Sequence, residues 1–175
     1  GVVDAIGDLD GPALACGRTN LCSKGAKMPG VGTWNEDSTY WGLDKPDVGT
    51  DWVALTPSNA SNGAMGFIPG SQTSDQIPHR DTFAKNNLLT RGQEVAVEVD
   101  PANVVDVVLQ PGEMSLHHVL LFHGSQPNRS SAPRIGFAIR YVPTHVRQLA
   151  PIRDSALLVR GHDAFGHFEH EESPE

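Results

Sequence analysis

Apolar positions recur at helical spacing in one stretch, "VVDAIGDL" (2–9), where a short helix is predicted. Most other apolar runs are short and break at Gly or Pro. "LACGRTNLCSK" (14–24) alternates loosely and predicts a strand, "TDWVALTP" (50–57) a strand ending at Pro57, and "GAMGFIPGS" (63–71) a short apolar strand closed by Pro69-Gly70. Residues 71–93 are polar with few apolar anchors and predict a long excursion. "EVAVEVD" (94–100) alternates strictly, as a strand with one wet face does. "VVDVVLQPGEMSLHHVLLFHGS" (104–125) predicts two antiparallel strands around a turn at Pro111-Gly112, with His123 directed into the mouth of the fold. "RIGFAIRYVP" (134–143) is a further strand, and the acidic stretch 160–175, without periodicity, predicts an outer loop. Six to eight short strands joined by Gly/Pro turns imply a mainly β protein, a sandwich or jelly roll with minor helical elements.

Composition narrows the picture. A chain of 175 residues, 38% hydrophobic and 19% charged, suits one globular domain (1–175) with a real core. The net charge of -8 would repel a phosphate backbone, so no nucleic-acid partner is expected. No apolar run approaches the roughly 20 residues that span a bilayer, so no membrane partner is expected either. No signal-peptide pattern is visible, although the chain opens on Gly1 rather than Met. Cys16 and Cys22 alone make no disulfide framework, and a reducing, cytoplasmic setting is the simpler reading.

Candidate chemistry concentrates at Asn35-Glu36-Asp37 after Trp34, at His123 in "FHGSQPN", and at Arg134 in "APRIGF". Non-haem Fe(II) oxygenases hold iron by two histidines and one carboxylate, leaving the opposite face open. A His-x-Asp pair serves this purpose on a strand because residues i and i+2 share a face. The second histidine arrives from a distant strand, and an arginine fork can clamp a carboxylate. His117 and His118 are adjacent, so at most one faces inward, and a structural role is preferred for both. His79, in "IPHRD", falls in the excursion and is a candidate substrate contact or replacement ligand.

"WNEDSTYWGL", "DWVAL", "NGAMGFIPGS", "PGEMSLHHVLLFHGSQPNRS" and "PRIGFAIRY" resemble, in order and spacing, the phytanoyl-CoA dioxygenase family. The resemblance runs from about residue 15 to about residue 147 and is most specific at His123-Gly124-Ser125 with Arg134. It implies a double-stranded β-helix (jelly roll, cupin-like) and an Fe(II)- and 2-oxoglutarate-dependent dioxygenase that hydroxylates a small organic molecule. It also implies roles: Asp37 and His123 as iron ligands, Arg134 and Ser125 as partners of the 2-oxoglutarate carboxylate, and Trp52 and Asn20 as residues of the cofactor pocket. The family usually begins with a further helical segment, so part of the pocket wall is expected to be missing from this chain.

The departure is Asn35, where the family pattern His-Gln-Asp becomes Asn35-Glu36-Asp37. An amide oxygen is a much poorer Fe(II) ligand than an imidazole nitrogen. Glu36 is no easy substitute, because strand alternation turns it to the opposite face. Three readings stay open at this point: weak metal binding, a family member that no longer catalyses, or an engineered or erroneous residue. The rival functions are a non-catalytic module binding an anion on Arg134 and a cupin-type hydrolase or isomerase with another metal. The latter would need more histidines around one pocket.

Overall fold

The computed structural model describes residues 2–38, 41–74, 79–81, 87–88, 93–95, 98–149 and 153–173. The predicted N-terminal helix is α1 (Val2–Asp10), which lays Ile6 and Val3 against Leu14, Leu116, Ile139, Tyr141 and Val159 on the outer face of a large sheet. The strands are β1 (Leu14–Lys24), β2 (Gly32–Asn35), β3 (Gly49–Ala54), β4 (Met65–Phe67), β5 (His79–Asp81), β6 (Gln93–Val95), β7 (Val105–Asp106), β8 (Met114–His118), β9 (His123–Ser125), β10 (Arg134–Pro143), β11 (Ser155–Arg160) and β12 (Glu169–His170). Twelve strands among the described residues exceed the six to eight expected, because two- and three-residue strands carry too few positions to show alternation.

One sheet runs β12-β11-β1-β10-β3-β8, a second β2-β9-β4-β7, and β5-β6 form a two-stranded ribbon. All pairs are antiparallel except β11 with β12. The architecture is the mainly β jelly roll expected from the pattern. A buried cluster of Ala15, Val48, Val119, Leu120, Val142, Val146, Ala156 and Phe168 fills one end, and Trp52, Ala54 and Ala138 lie between the sheets' inner strands.

The segment 104–125 departs from its expectation. β7 pairs with β4 and β8 with β3, so the two strands belong to different sheets and form no hairpin. The turn at Pro111-Gly112 exists, with Gly112 at φ 88 and its N–H on the Ala54 carbonyl (2.8 Å), but it carries the chain around a corner. The chain then leaves β8 and re-forms as β9 in the smaller sheet. Of the 94–100 stretch, Glu94 and Val95 fall in β6 (Gln93–Val95), residues 98–100 are outside any strand, and residues 96–97 lie outside the described residues. The C-terminal stretch, expected as an outer loop, also carries a short strand: Glu169–His170 pair in parallel with β11.

Candidate functional site

The smaller sheet sets Asn35 on β2 directly opposite His123 on β9. Asn35 is buried, and its amide nitrogen donates to the carbonyls of Thr33 (2.9 Å) and His123 (3.2 Å). Both amide hydrogens are therefore used, and the amide oxygen is the atom with lone pairs to offer. β2 ends at Asn35, so Asp37 does not share its strand face as the alternation rule required. Asp37 is fixed instead by its own N–H on the Val119 carbonyl (3.0 Å). Its Oδ1 nevertheless lies 3.8 Å from Nε2 of His123. His123 Nδ1 is 3.0 Å from the Leu121 carbonyl. A carbonyl only accepts, so the neutral ring carries its proton on Nδ1 and its lone pair on Nε2, toward Asp37. Glu36 is fully buried and accepts from the Ser38 hydroxyl (3.1 Å).

Of the adjacent pair, His117 is the one that turns inward. β8 pairs His117 with Thr50, and its ring sits 5.6 Å from that of His123 and 4.9 Å from Phe67. It is 8% exposed, and its Nδ1 has no hydrogen-bond partner. Burial, followed by the neighbouring His123, depresses its pKa to about 3, which keeps the ring neutral. His118 faces away, accepting from the Leu120 N–H on Nδ1 (3.2 Å). Only the pairing of β8 with β3 decides which of two adjacent histidines looks inward, and no local signal carries that.

The second group of candidate residues lies where β1 meets β10. Arg134 is 6% exposed and lies over the Trp52 ring, 5.3 Å from its centroid, with Nε and Nη1 lacking hydrogen-bond partners. Trp52 can lie flat here because Gly136 has no side chain: a Cβ there would come within 2.0 Å of the indole. Directly opposite Arg134 on β1 is Lys24, fully buried, a residue the sequence reading did not single out. Its Nζ donates to Ser125 Oγ (2.8 Å) and the Gln126 carbonyl (2.5 Å), fastening the large sheet to the small one. Desolvation, then the Arg134 charge, lowers its pKa to about 8. Ser125 thus meets Lys24 rather than Arg134, and Glu113 and Asp106 form no ion pair with Arg134 among the described residues.

Asn20 lies farther along β1, opposite Ala138, and accepts on Oδ1 from Arg140 Nη1 (2.5 Å). Arg140, also unforeseen, has Nε 3.7 Å from Asp37 Oδ2 and stacks over Trp41 at 5.4 Å. The backbone of His79 opens β5, which pairs with β6; the His79 side chain lies outside the described residues. Asn87, in the same excursion, donates to Thr33 Oγ1 (2.6 Å) and bridges to Val31, so this residue borders β2.

A family model described as Phytanoyl-CoA dioxygenase (PhyH) matches residues 13–136. A phytanoyl-CoA dioxygenase domain-containing protein 1 homolog of Caenorhabditis elegans is 28% identical over 128 residues, covering 66% of this chain and 42% of that protein. A probable alpha-ketoglutarate-dependent hypophosphite dioxygenase of Stutzerimonas stutzeri is 29% identical over 110 residues, 62% of this chain and 38% of that protein. The apo structure of the non-heme monooxygenase ThoJ superposes with a TM-score of 0.88 at 39% identity, covering 99% of this chain and 63% of that one. The chain spans less than half the length of these two curated relatives.

Proposed function

The chain belongs to the phytanoyl-CoA dioxygenase family, oxygenases that depend on Fe(II) and 2-oxoglutarate, and we propose that it uses both to hydroxylate a small organic molecule. The observation that carries this is Arg134. A buried guanidinium with two nitrogens unpartnered, backed by buried Lys24, calls for an anion, since isolated buried charge is costly. The distal carboxylate of 2-oxoglutarate fits, and Arg134, Lys24 and the Ser125 hydroxyl would bind it beside Trp52. Asn20, bonded to Arg140, would act farther along the same wall.

The donor set fits iron through two strong ligands rather than three. Asp37 Oδ1 and His123 Nε2, 3.8 Å apart, are the two atoms that would hold the iron. The Leu121 carbonyl holds the His123 ring in the tautomer a metal needs. Among the described residues no group of three or more His, Cys, Asp or Glu could hold a metal, and Asn35 would offer a neutral amide oxygen at the position of the missing histidine. Iron and 2-oxoglutarate together supply oxygen activation when bound; the protein's part is to orient them and exclude water. Loss of a histidine favours a non-catalytic module; retention of Asp37, His123 and the anion site, and oxygenase relatives, favour the enzyme.

The same reading has one domain, a small-molecule substrate and no nucleic-acid partner. No helix among the described residues is long and apolar enough to cross a membrane. Cys16 and Cys22 are free thiols, which supports a reducing, cytoplasmic setting. Calorimetry of 2-oxoglutarate with the unaltered protein and Arg134→Met, paired with iron-dependent succinate release, tests the proposal. Removing a buried charged partner lowers affinity by about 2–5 kcal/mol, roughly 30- to 4000-fold. Equal affinity in Arg134→Met, or no succinate above an iron-free control, would overturn it.

A further inference from the structure

A cavity of about 220 Å³ opens beside the site, with an apolar wall of Trp41, Leu43, Val48, Val142 and Phe168. Two arginines also line it, Arg18 on β1 and Arg140 on β10, and they are direct cross-strand partners. Like charges placed opposite one another on a sheet destabilise it. Here a β-bulge creates the juxtaposition. The register of β1 on β10 runs Cys16 to Tyr141 and then Arg18 to Arg140, so Gly17 is the extra residue. Without it, alternation would turn Arg18 to the outer face with Cys16; with it, Arg18 joins Arg140 on the inner face. Bulges re-aim side chains in this way beside functional sites.

The charges in this cavity are incompletely answered. Asp37 lies near Arg140 at 3.7 Å, too far for a hydrogen bond, and Arg140 Nε has no hydrogen-bond partner. The Arg18 guanidinium, on a residue exposed to solvent, has no ion pair or side-chain hydrogen bond among the described residues. Asp154, the acidic residue of the lining, accepts from Gln148 Nε2 (2.9 Å) and lies beyond ion-pair distance of both arginines. The same strand pair repeats the device at its far end, where Lys24 faces Arg134. Two cation pairs on one inner face match two anionic ligands.

Resting on the oxygenase reading, we propose that Arg18 and Arg140 anchor the substrate. That substrate is a small molecule with an apolar body, seated on Trp41 and Phe168, and a carboxylate or phosphate head. Arginine forks recognise either group in bidentate fashion. Arg140 then links the two functions, because the guanidinium that meets the substrate's head also neighbours Asp37.

The test uses phenylacetate, phenyl phosphate and the neutral phenylacetamide as probes, titrated by calorimetry with saturating 2-oxoglutarate and no added iron, so that nothing turns over. At least one acid should bind at least tenfold more tightly than the amide. Arg18→Gln should remove that preference while 2-oxoglutarate affinity stays unchanged, and Arg18→Lys should restore part of it. Comparing acids with the amide needs no variant to fold. Equal binding of acids and amide, or a preference that survives Arg18→Gln, would overturn the anchor. So would a parallel loss of 2-oxoglutarate affinity in Arg18→Gln, which would give the pair to the cosubstrate. Absence of 2-oxoglutarate binding to the unaltered protein would instead count against the oxygenase reading.

Discussion

Asp51 is a carboxylate in an unfavourable place, and its removal should change the pH dependence of stability. It sits on β3 opposite Ile139 and Leu116, in the apolar layer under α1, with no exposed surface and no hydrogen-bond partner for either oxygen. Desolvation raises its pKa from 3.8 to about 6. A carboxyl whose folded pKa exceeds its unfolded one keeps its proton longer when folded. Stability from this group is therefore complete below pH 4, falls as pH rises from 4 to 6, and stays reduced above. At 1.36 kcal/mol per pKa unit the loss reaches at most about 3 kcal/mol, and partial hydration at the edge of the layer would bring it to roughly 1–3 kcal/mol. Asp51→Asn cannot ionise and escapes this loss. Urea unfolding of both proteins at pH 4 and pH 8 measures it: the variant should gain on the unaltered protein by that amount between the two. Parallel stability curves across the range would refute the reasoning and mean that water reaches the carboxylate.

Asn35→His should tighten Fe(II) binding and raise succinate release at equal iron and oxygen; a full equivalent of iron and equal turnover in the unaltered protein would mean Asn35 does not impair the site. Gly136→Ala, with its Cβ forced onto the Trp52 ring, should destabilise by about 1–3 kcal/mol in urea and weaken 2-oxoglutarate binding in calorimetry. Because Lys24 has a pKa near 8, 2-oxoglutarate affinity should fall between pH 7 and pH 9 as that ammonium loses its proton, and Lys24→Met should flatten this profile.

Strands with enough positions to show alternation, β1, β3 and β10, were legible in the sequence, and so was α1 from its apolar spacing. Alternation tells which face a residue takes but not which sheet its strand joins. That is why 104–125 reads as a hairpin and folds as a corner. β11, from "SALLVR", is half-buried without alternating, and its pairing with β1 is nonlocal. At the site, Asp37, His123, Arg134 and Trp52 stood out because their neighbours in sequence resemble a family. Lys24, Arg18 and Arg140 did not, and His117 was not distinguishable from His118, since each acquires meaning only from its partner across a sheet. For Arg18 the obstacle is sharper: the bulge at Gly17 reverses the parity on which a sequence reading depends.

The cations gathered on one inner sheet face have a kinetic consequence. Arg18, Lys24, Arg134 and Arg140 sit there in a chain of net charge -8, so the remainder of the molecule is more negative still. Beyond a Debye length, about 8 Å at physiological salt, an approaching dianion meets that repulsive field, whereas inside the low-dielectric cleft the attractive one takes over. Added salt then has opposite effects on the two stages: it lowers the barrier to encounter and loosens the grip after capture. Association with small anions should speed up with ionic strength, the reverse of ordinary electrostatic steering. Bulky polyanions, unable to enter the cleft, would feel only the repulsion.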